Sequence, residues 1–335
     1  MVLVTGGTGL VGAHLLLKLV ENGISVRGIH RKKSNLKKVE EVFGYYRKDS
    51  AALFSAIEWV EADINDIPAL EFAFEDITHV YHAAAFISFD PNNYKELQKV
   101  NTEGTANIVN LCISNNIKKL CYVSTIGTIG KSLSDAKADE ETVWAPQEAN
   151  VYALTKHAAE MEVWRGSQEG LPVVMINPGV IIGPGFWNTG SGALFSIAKK
   201  GHRFYPPGGT GFITVHDVIQ LLVGLMESNI KNERYVAVAE NWTYHKILTE
   251  ITVIYDLKPP SIQLTFWQLE IGRWFDWLKN RFLKNGRRIT KSSIRSLKHR
   301  EIYDNQKVRR DLNFEFEPLQ GTIAFCCQKF VQENQ

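Results

Sequence analysis

Through the first half of this chain, short apolar runs alternate with longer segments of helical period. "MVLVTG", "ISVRGIHR", "IEWVEADI", "HVYHAAA", "KKLCYVST" and "PVVMINPGVIIG" are the apolar runs. Between them lie helix-like stretches such as "LVGAHLLLKLVENG", "TEGTANIVNLCISNN" and "VYALTKHAAEMEVWRGSQEG". Gly23 follows the first of these as a C-terminal cap. Continuous apolar runs belong to strands buried on both faces, which is the condition of a parallel sheet covered by helices. Right-handed crossovers then give an α/β fold, a Rossmann-type doubly wound parallel sheet. After Gly183 the alternation lapses into Gly-, Pro- and aromatic-rich stretches, "GPGFWNTGSG" and "FYPPGGTG". The expected division is residues 1–182 as the sheet domain. Residues 183–335 form a smaller, mixed, mostly helical lobe that covers the substrate pocket and exchanges elements with the first.

Composition narrows the function classes. The chain has 335 residues, 44% hydrophobic and 22% charged, with a net charge of +2. That is ordinary globular material, too nearly neutral to argue for nucleic acid. Cys112, Cys121, Cys326 and Cys327 show no metal-ligand spacing, and the first two fall in apolar periodic segments as buried thiols. A reducing, cytoplasmic setting is expected, with no leader peptide ahead of the first strand. No apolar run is long enough to span a bilayer.

Thr5-Gly6-Gly7-Thr8-Gly9-Leu10-Val11-Gly12 joins the first strand to the first helix. Glycines here allow a tight turn and bring backbone N–H groups to a pyrophosphate at the helix N-terminus. In this context the turn predicts a dinucleotide site. The second strand ends in Ile29-His30-Arg31-Lys32-Lys33, without the acid that holds a ribose 2′-hydroxyl in NAD sites. Arg31, with Lys32 beside it, suits a 2′-phosphate, so NADP(H) is favoured over NAD(H). The alternative is a solvated basic loop beside an NAD site. Asp63 stands between two roles, acceptor from the adenine amino group and helix N-cap.

Several segments occur together in a fixed order: TGGTGLVG, Asp63-Ile64, Val80-Tyr81-His82-Ala83-Ala84, Val100-Asn101-Thr102-Glu103-Gly104-Thr105, Val123-Ser124-Thr125 and Tyr152-x-x-x-Lys156. In this order they resemble the extended short-chain dehydrogenase/reductases of the NAD-dependent epimerase/dehydratase superfamily, closely over about the first 185 residues. The run Ile176 to Gly185, "INPGVIIGPG", is similar to the carbonyl-reductase branch of dihydroflavonol reductase-, cinnamoyl-CoA reductase- and 3β-hydroxysteroid dehydrogenase-like proteins. Ile126 and Gly127 stand where dehydratases carry an acid. The tail "EIYDNQKVRRDLNFEFEPL" resembles the same group, though that match is shared by many extended members. The resemblance implies cofactor contacts at Ile64, Ala83, Ala84, Ala85, Asn101, Pro178, Gly179 and Val180, besides the glycine turn.

Tyr152 and Lys156 are four residues apart and share a helix face. A lysine ammonium near a tyrosine phenol lowers its pKa from about 10 and makes it a usable acid or base. With Lys156 also on the nicotinamide ribose, the resemblance gives Tyr152 the proton transfer. It gives Thr125, five residues before Gly130, a hydrogen bond to the substrate oxygen. Ser124 is the second candidate for that hydroxyl. Asn101, expected at a helix start, reads as holding backbone geometry, and His82 as packing and hydrogen bonding.

The reading is an NADP(H)-dependent oxidoreductase acting on a small-molecule carbonyl or alcohol substrate. Its rivals are a nucleotide-sugar epimerase with tightly bound NAD and a non-enzymatic NADP(H)-binding sensor or scaffold. Phe186, Trp187, Phe204 and Tyr205 read either as pocket wall or as core. Arg203 reads as an anion contact or as surface, and Asp217 as the cap of the next helix. A homodimer through the helices of Asn101 and Tyr152 is expected, with Ile108, Leu111 and Ala158 on the faces concerned. Residues 266–284 are amphipathic, with Trp267, Ile271, Trp274, Leu278 and Phe282 on one side and Arg273, Asp276, Lys279 and Asn280 opposite. Packing on the domain, a lid, and contact with a membrane surface are its three readings.

Overall fold

The computed structural model describes residues 1–130, 137–283 and 291–334, without the side chains of 278–283 and 291–293. In chain order the first half holds β1 (Val2–Thr5), α1 (Leu10–Glu21), β2 (Val26–His30), α2 (Leu36–Gly44), α3 (Ser50–Ser55), β3 (Glu58–Glu61) and α4 (Ile67–Ala73). There follow β4 (His79–His82), α5 (Tyr94–Leu97), α6 (Gly104–Ser114), β5 (Lys119–Val123), α7 (Val151–Gln168), β6 (Val173–Pro178) and β7 (Val180–Ile182). The second half adds α8 (Ala193–Lys199), β8 (Phe204–Tyr205), β9 (Gly209–Thr214), α9 (Val215–Glu227), β10 (Glu233–Ala237), β11 (Glu240–Thr243) and α10 (Tyr244–Ile254). It closes with β12 (Ile262–Gln263), α11 (Phe266–Leu283), α12 (Lys291–Lys298), α13 (Gln306–Leu312) and α14 (Leu319–Glu333).

The main sheet has seven strands in the order β10-β6-β5-β4-β1-β2-β3. Every neighbouring pair is parallel. Successive residues point to opposite faces. Leu3, Val80, Leu120 and Val173 therefore meet α4, α6 and α7 on one side. Val4, Tyr81, Cys121 and Val174 meet α1 and α9 on the other. This double covering is why the strands read as unbroken apolar runs. The order reverses between β1 and β4, which leaves a crevice at their carboxyl ends.

The sequence showed six of the seven strands. The last, β10, comes from the second half and pairs along β6 from Glu233↔Val174 to Ala237↔Pro178. It is hidden in the sequence because "ERYVA" carries charge at its half-buried start. A three-stranded sheet, β11-β9-β7, and the helices α8, α10 and α14 enclose the second core around Phe195, Phe212, Trp242, Ile251 and Phe330. Trp187 is buried in that core, and the partly buried Phe186 packs on the first. Tyr205 lies over His245, while Phe204 is exposed. All four cysteines are buried free thiols.

Three local expectations change. Helical structure begins with a 3-10 turn at Pro91–Asn93 rather than at Asn101, and after α5 Gln98–Glu103 form a π-helical turn within a continuous run into α6. Asp217 does not cap α9. Thr214 does, accepting from Asp217 N, while the buried Asp217 carboxylate accepts from Glu317 N and is pushed up to about 6 by burial. Ile108 and Leu111 are buried in the chain's own core, leaving only Ala158 partly exposed among the residues expected at a subunit face.

Candidate active site

The glycine turn closes around its own backbone. Gly6 has φ +72°, and a methyl there would stand 2.6 Å from Ala84 N. A methyl on Gly12 would overlap the Gly6 carbonyl, so the helix can meet the turn only as glycine. At Gly9, by contrast, an added methyl would meet only Gly6 O at 3.4 Å. That side is open, and Gly9 is also the N-cap of α1 with no side chain covering the helix end. An open helix N-terminus with close backbone approach fits a dinucleotide pyrophosphate. Leu10 and Val11 begin the helix, half-buried, and Thr8 Oγ1 donates to Ser34 Oγ at 3.5 Å. Ser34, missed in the sequence, also accepts from Arg31 N at 3.1 Å and ties the basic loop to the turn.

Arg31, Lys32 and Lys33 share a cleft of about 490 Å³ with Glu61, Ala62, Asp63 and Asp66. Asp63 is not a helix cap. Its carboxylate accepts from Asn65 N and Nδ2 at 2.9 and 3.1 Å, and Asp66 caps α4. Ile64 is buried, and its side chain fills the space left by Gly104.

Behind the turn runs a fixed hydrogen-bond chain. Thr105 Oγ1 donates to Asn101 O at 2.5 Å, so it accepts from His82 Nε2 at 2.9 Å. His82 Nδ1 then accepts from Thr5 Oγ1 at 2.6 Å, and Thr5 Oγ1 accepts from Ala84 N at 3.2 Å. Burial, helped by the Lys156 charge, pushes His82 down to about 3, so the ring stays neutral and holds β1 to β4. Asn101 is equally committed. It accepts from Phe86 N at 2.8 Å and donates to Phe86 O and Thr155 Oγ1, pinning the loop after β4 to α7. Ala83 and Ala84 back the glycine turn, and Ala85 is exposed beside them.

Tyr152 sits in the first turn of α7, which Asn150 caps by accepting from Ala153 N at 2.8 Å. Its ring meets Phe89 edge-on at 5.9 Å. Lys156, one turn on, is 1% exposed. It does not spend its ammonium on Tyr152. Nζ donates to Tyr122 Oη at 2.6 Å and to Val123 O at 2.8 Å, and lies 4.2 Å from the centre of the Tyr122 ring. The His82 ring stacks with the Tyr122 ring at 5.4 Å between centres. Burial lowers Lys156 to about 7 against the raising effect of Glu160. Burial also raises the Tyr152 phenol above its ordinary value. The expected lowering of Tyr152 by Lys156 is thus reversed here, because desolvation disfavours phenolate and the ammonium is turned toward β5.

The two hydroxyls separate cleanly. Ser124 is buried and donates to the Glu160 carboxylate, which also accepts from Thr128 Oγ1 and Asn177 Nδ2, both at 2.6 Å. Arg234 pairs with the same wholly buried carboxylate at 3.4 Å. Thr125 is half-buried just past the end of β5, and its Oγ1 accepts from Gly127 N at 3.2 Å, with no acceptor for its own proton among the described residues. Tyr122 and Glu160 were missed in the sequence. The one signal for Glu160 was its place eight residues after Tyr152 on the same helix face. Pro178 ends β6, Gly179 N donates to Ala237 O at 3.0 Å, and Val180 opens β7, which brings the chain back past this edge of the sheet.

The family model described as "NAD dependent epimerase/dehydratase family" matches residues 2–237. The chain belongs to this family. It is an NAD(P)-dependent enzyme of the epimerase/dehydratase type, and the glycine turn with the open N-terminus of α1 fits that cofactor. Among its relatives is "Sterol demethylase protein B" of Methylococcus capsulatus, 27% identical over 92% of each chain. Another is "Putative dihydroflavonol 4-reductase" of Synechocystis, 26% identical over 96% of this chain and 92% of that one. In fold it is similar to gox2253, with a TM-score of 0.83 at 23% identity, covering 99% and 98% of the two chains. It is similar also to the UDP-glucose 4-epimerase of Thermotoga maritima, TM-score 0.79 at 19% identity, over 100% and 99%.

Proposed function

We propose that this protein is an NADP(H)-dependent carbonyl reductase/alcohol dehydrogenase, with Tyr152, Lys156 and Thr125 as its working side chains. The observation that carries the reading is Tyr152 in the first turn of α7, one turn ahead of the buried Lys156, together with a Thr125 hydroxyl that accepts from Gly127 N and meets no acceptor among the described residues. The nicotinamide supplies hydride exchange with the substrate carbon. The protein's own part is the oxygen. Tyr152 is kept as a phenol by burial, which suits a group that gives its proton to a carbonyl oxygen during reduction. Thr125 donates a second hydrogen bond to that oxygen and fixes its position. Lys156, near its midpoint at neutral pH, reaches the cofactor ribose by leaving Tyr122. Ile87 and Phe89 are exposed on the loop that Asn101 holds, and they offer an apolar wall beside Tyr152.

The dihydroflavonol 4-reductase names among the relatives favour this branch. The NADP(H) preference rests on Arg31, Lys32 and Lys33 facing one cleft with no acid at the end of β2. The epimerase reading is favoured by the solved UDP-glucose 4-epimerase, whose fold this chain shares. The test is calorimetric binding of NADPH and NADH to wild type and Arg31→Ala, followed by turnover of ketones and aldehydes with Tyr152→Phe. We expect NADPH to bind more tightly, by a margin that Arg31→Ala cuts about tenfold. Tyr152→Phe should keep binding and lose turnover by about 10²–10⁴. NADH preference indifferent to Arg31 would refute the cofactor assignment. Turnover of a UDP-sugar with no net NAD(P)H consumed would establish the epimerase instead.

A further inference from the structure

α11 turns its aromatic face away from the protein. Trp267 is 63% exposed, Trp274 55% and Phe275 59%, with Phe266, Ile271 and Trp277 also exposed. At 100° per residue Trp267, Ile271 and Trp274 form one stripe, flanked by the others. Leu269 alone of the described apolar side chains in this helix is buried, and Arg273 and Asp276 lie on its side, only half-exposed. The polarity is inverted relative to a helix that packs on its own domain. Leu278, Phe282, Lys279 and Asn280, expected on the two faces, lie outside the described side chains. Just ahead of α11, Phe204 and Ile262 are register partners in the β8–β12 pair, and both are exposed. Isolated exposed apolar residues need no explanation, but a rimmed cluster of this kind marks a contact surface.

Charge says what kind. Between Trp277 and Glu301 the sequence holds nine lysines and arginines and no aspartate or glutamate. The other 29 basic residues stand against 36 acidic ones, so the rest of the chain is net acidic. Part of this basic stretch is structurally beside the aromatic face. Lys298 of α12 sits over the Phe266 ring at 4.9 Å and pairs with Glu270 at 3.7 Å, and Arg295, His299 and Arg300 are exposed. Two copies of such a face would bring like charges together. An anionic lipid surface offers what both parts require, an apolar boundary for the rings and negative headgroups for the rim. No described helix is long and apolar enough to cross a membrane, so the contact would lie in the interface plane.

We infer that α11, with the basic residues of α12 beside it, docks this enzyme on anionic phospholipid bilayers. The inference stands apart from the reading of the active site. It is tested by flotation of the full chain with phosphatidylcholine vesicles and with vesicles containing about 30% phosphatidylglycerol, at low and high salt. The variants are W267S/W274S and R295Q/R300Q, each checked for folding by thermal melting and dinucleotide binding. Wild type floats with the anionic vesicles only, and salt weakens it. The tryptophan variant loses about tenfold or more in partitioning, and the arginine variant a smaller factor. Absence of flotation by wild type overturns the inference, as does equal flotation by W267S/W274S. So does a dimer that forms without vesicles and is broken by W267S/W274S, because the face would then belong to a second copy. Loss of turnover in that variant without any flotation would make α11 a lid and equally overturn it.

Discussion

Replacing Lys156 by methionine should inactivate the protein and, below neutral pH, stabilise its cofactor-free form. The ammonium is 1% exposed, and burial lowers it from 10.5 to about 7. At ~1.4 kcal/mol per pKa unit, holding the charged form in the folded state costs about 5 kcal/mol at pH 6. Methionine fills similar volume without that cost. It also removes the donor to Tyr122 Oη and Val123 O, which gives back about 1–3 kcal/mol for each partner left unsatisfied. With about 1 kcal/mol lost at each partner the net stabilisation at pH 6 is about 3 kcal/mol, and toward the upper end of that loss it vanishes.

The pH dependence is the sharper readout. Below pH 7 Lys156 is charged in both folded and unfolded chains, and wild type bears the whole penalty. Between about 7 and 10.5 the folded state releases the proton while the unfolded state keeps it. The unfolded state then binds more protons, so wild-type stability rises with pH. From pH 6 to pH 8.5 wild type should gain about 2 kcal/mol on Lys156→Met. Urea unfolding of both proteins at several pH values measures the difference, in which titrating groups that do not sense Lys156 cancel. A difference that stays flat across this range would refute the argument that burial depresses Lys156. A methionine variant less stable at both ends would show that the two lost hydrogen bonds outweigh the desolvation.

Ser124→Ala and Thr125→Ala should fail in opposite ways. The first removes one donor from the buried Glu160 carboxylate and costs about 1–3 kcal/mol in urea unfolding with little change in kcat. The second should lower kcat by about 10²–10³ with stability nearly unchanged, and the reverse pattern would exchange their roles. Gly12→Ala forces a methyl into the Gly6 carbonyl, so calorimetry should show dinucleotide affinity falling by at least about tenfold, alongside a destabilisation of about 1–3 kcal/mol.

Much of the site was legible because its signals are local. A tight turn with a close backbone approach admits only glycine, so Gly6 and Gly12 announce themselves. Tyr152 and Lys156 share a face because a helix repeats every 3.6 residues. Apolar runs without alternation imply a doubly covered sheet wherever they occur. By contrast, nothing near Lys156 in sequence points to Tyr122, which lies 34 residues earlier on β5. The expected depression of Tyr152 failed for the same reason, since burial and the aim of an ammonium are set by neighbours from other segments.

The sequence by itself therefore determined the doubly wound sheet, the dinucleotide turn, and the residue types placed at the end of β5 and on α7. Periodicity and short spacing encode these, and they need no distant partner to be read. The tertiary structure alone decided that β10 completes the sheet, that Glu160 claims Ser124 rather than Thr125, and that α11 presents its tryptophans to solvent. Each of those depends on which remote surfaces meet. An amphipathic pattern specifies that a helix has an apolar face, and only packing specifies what that face looks toward.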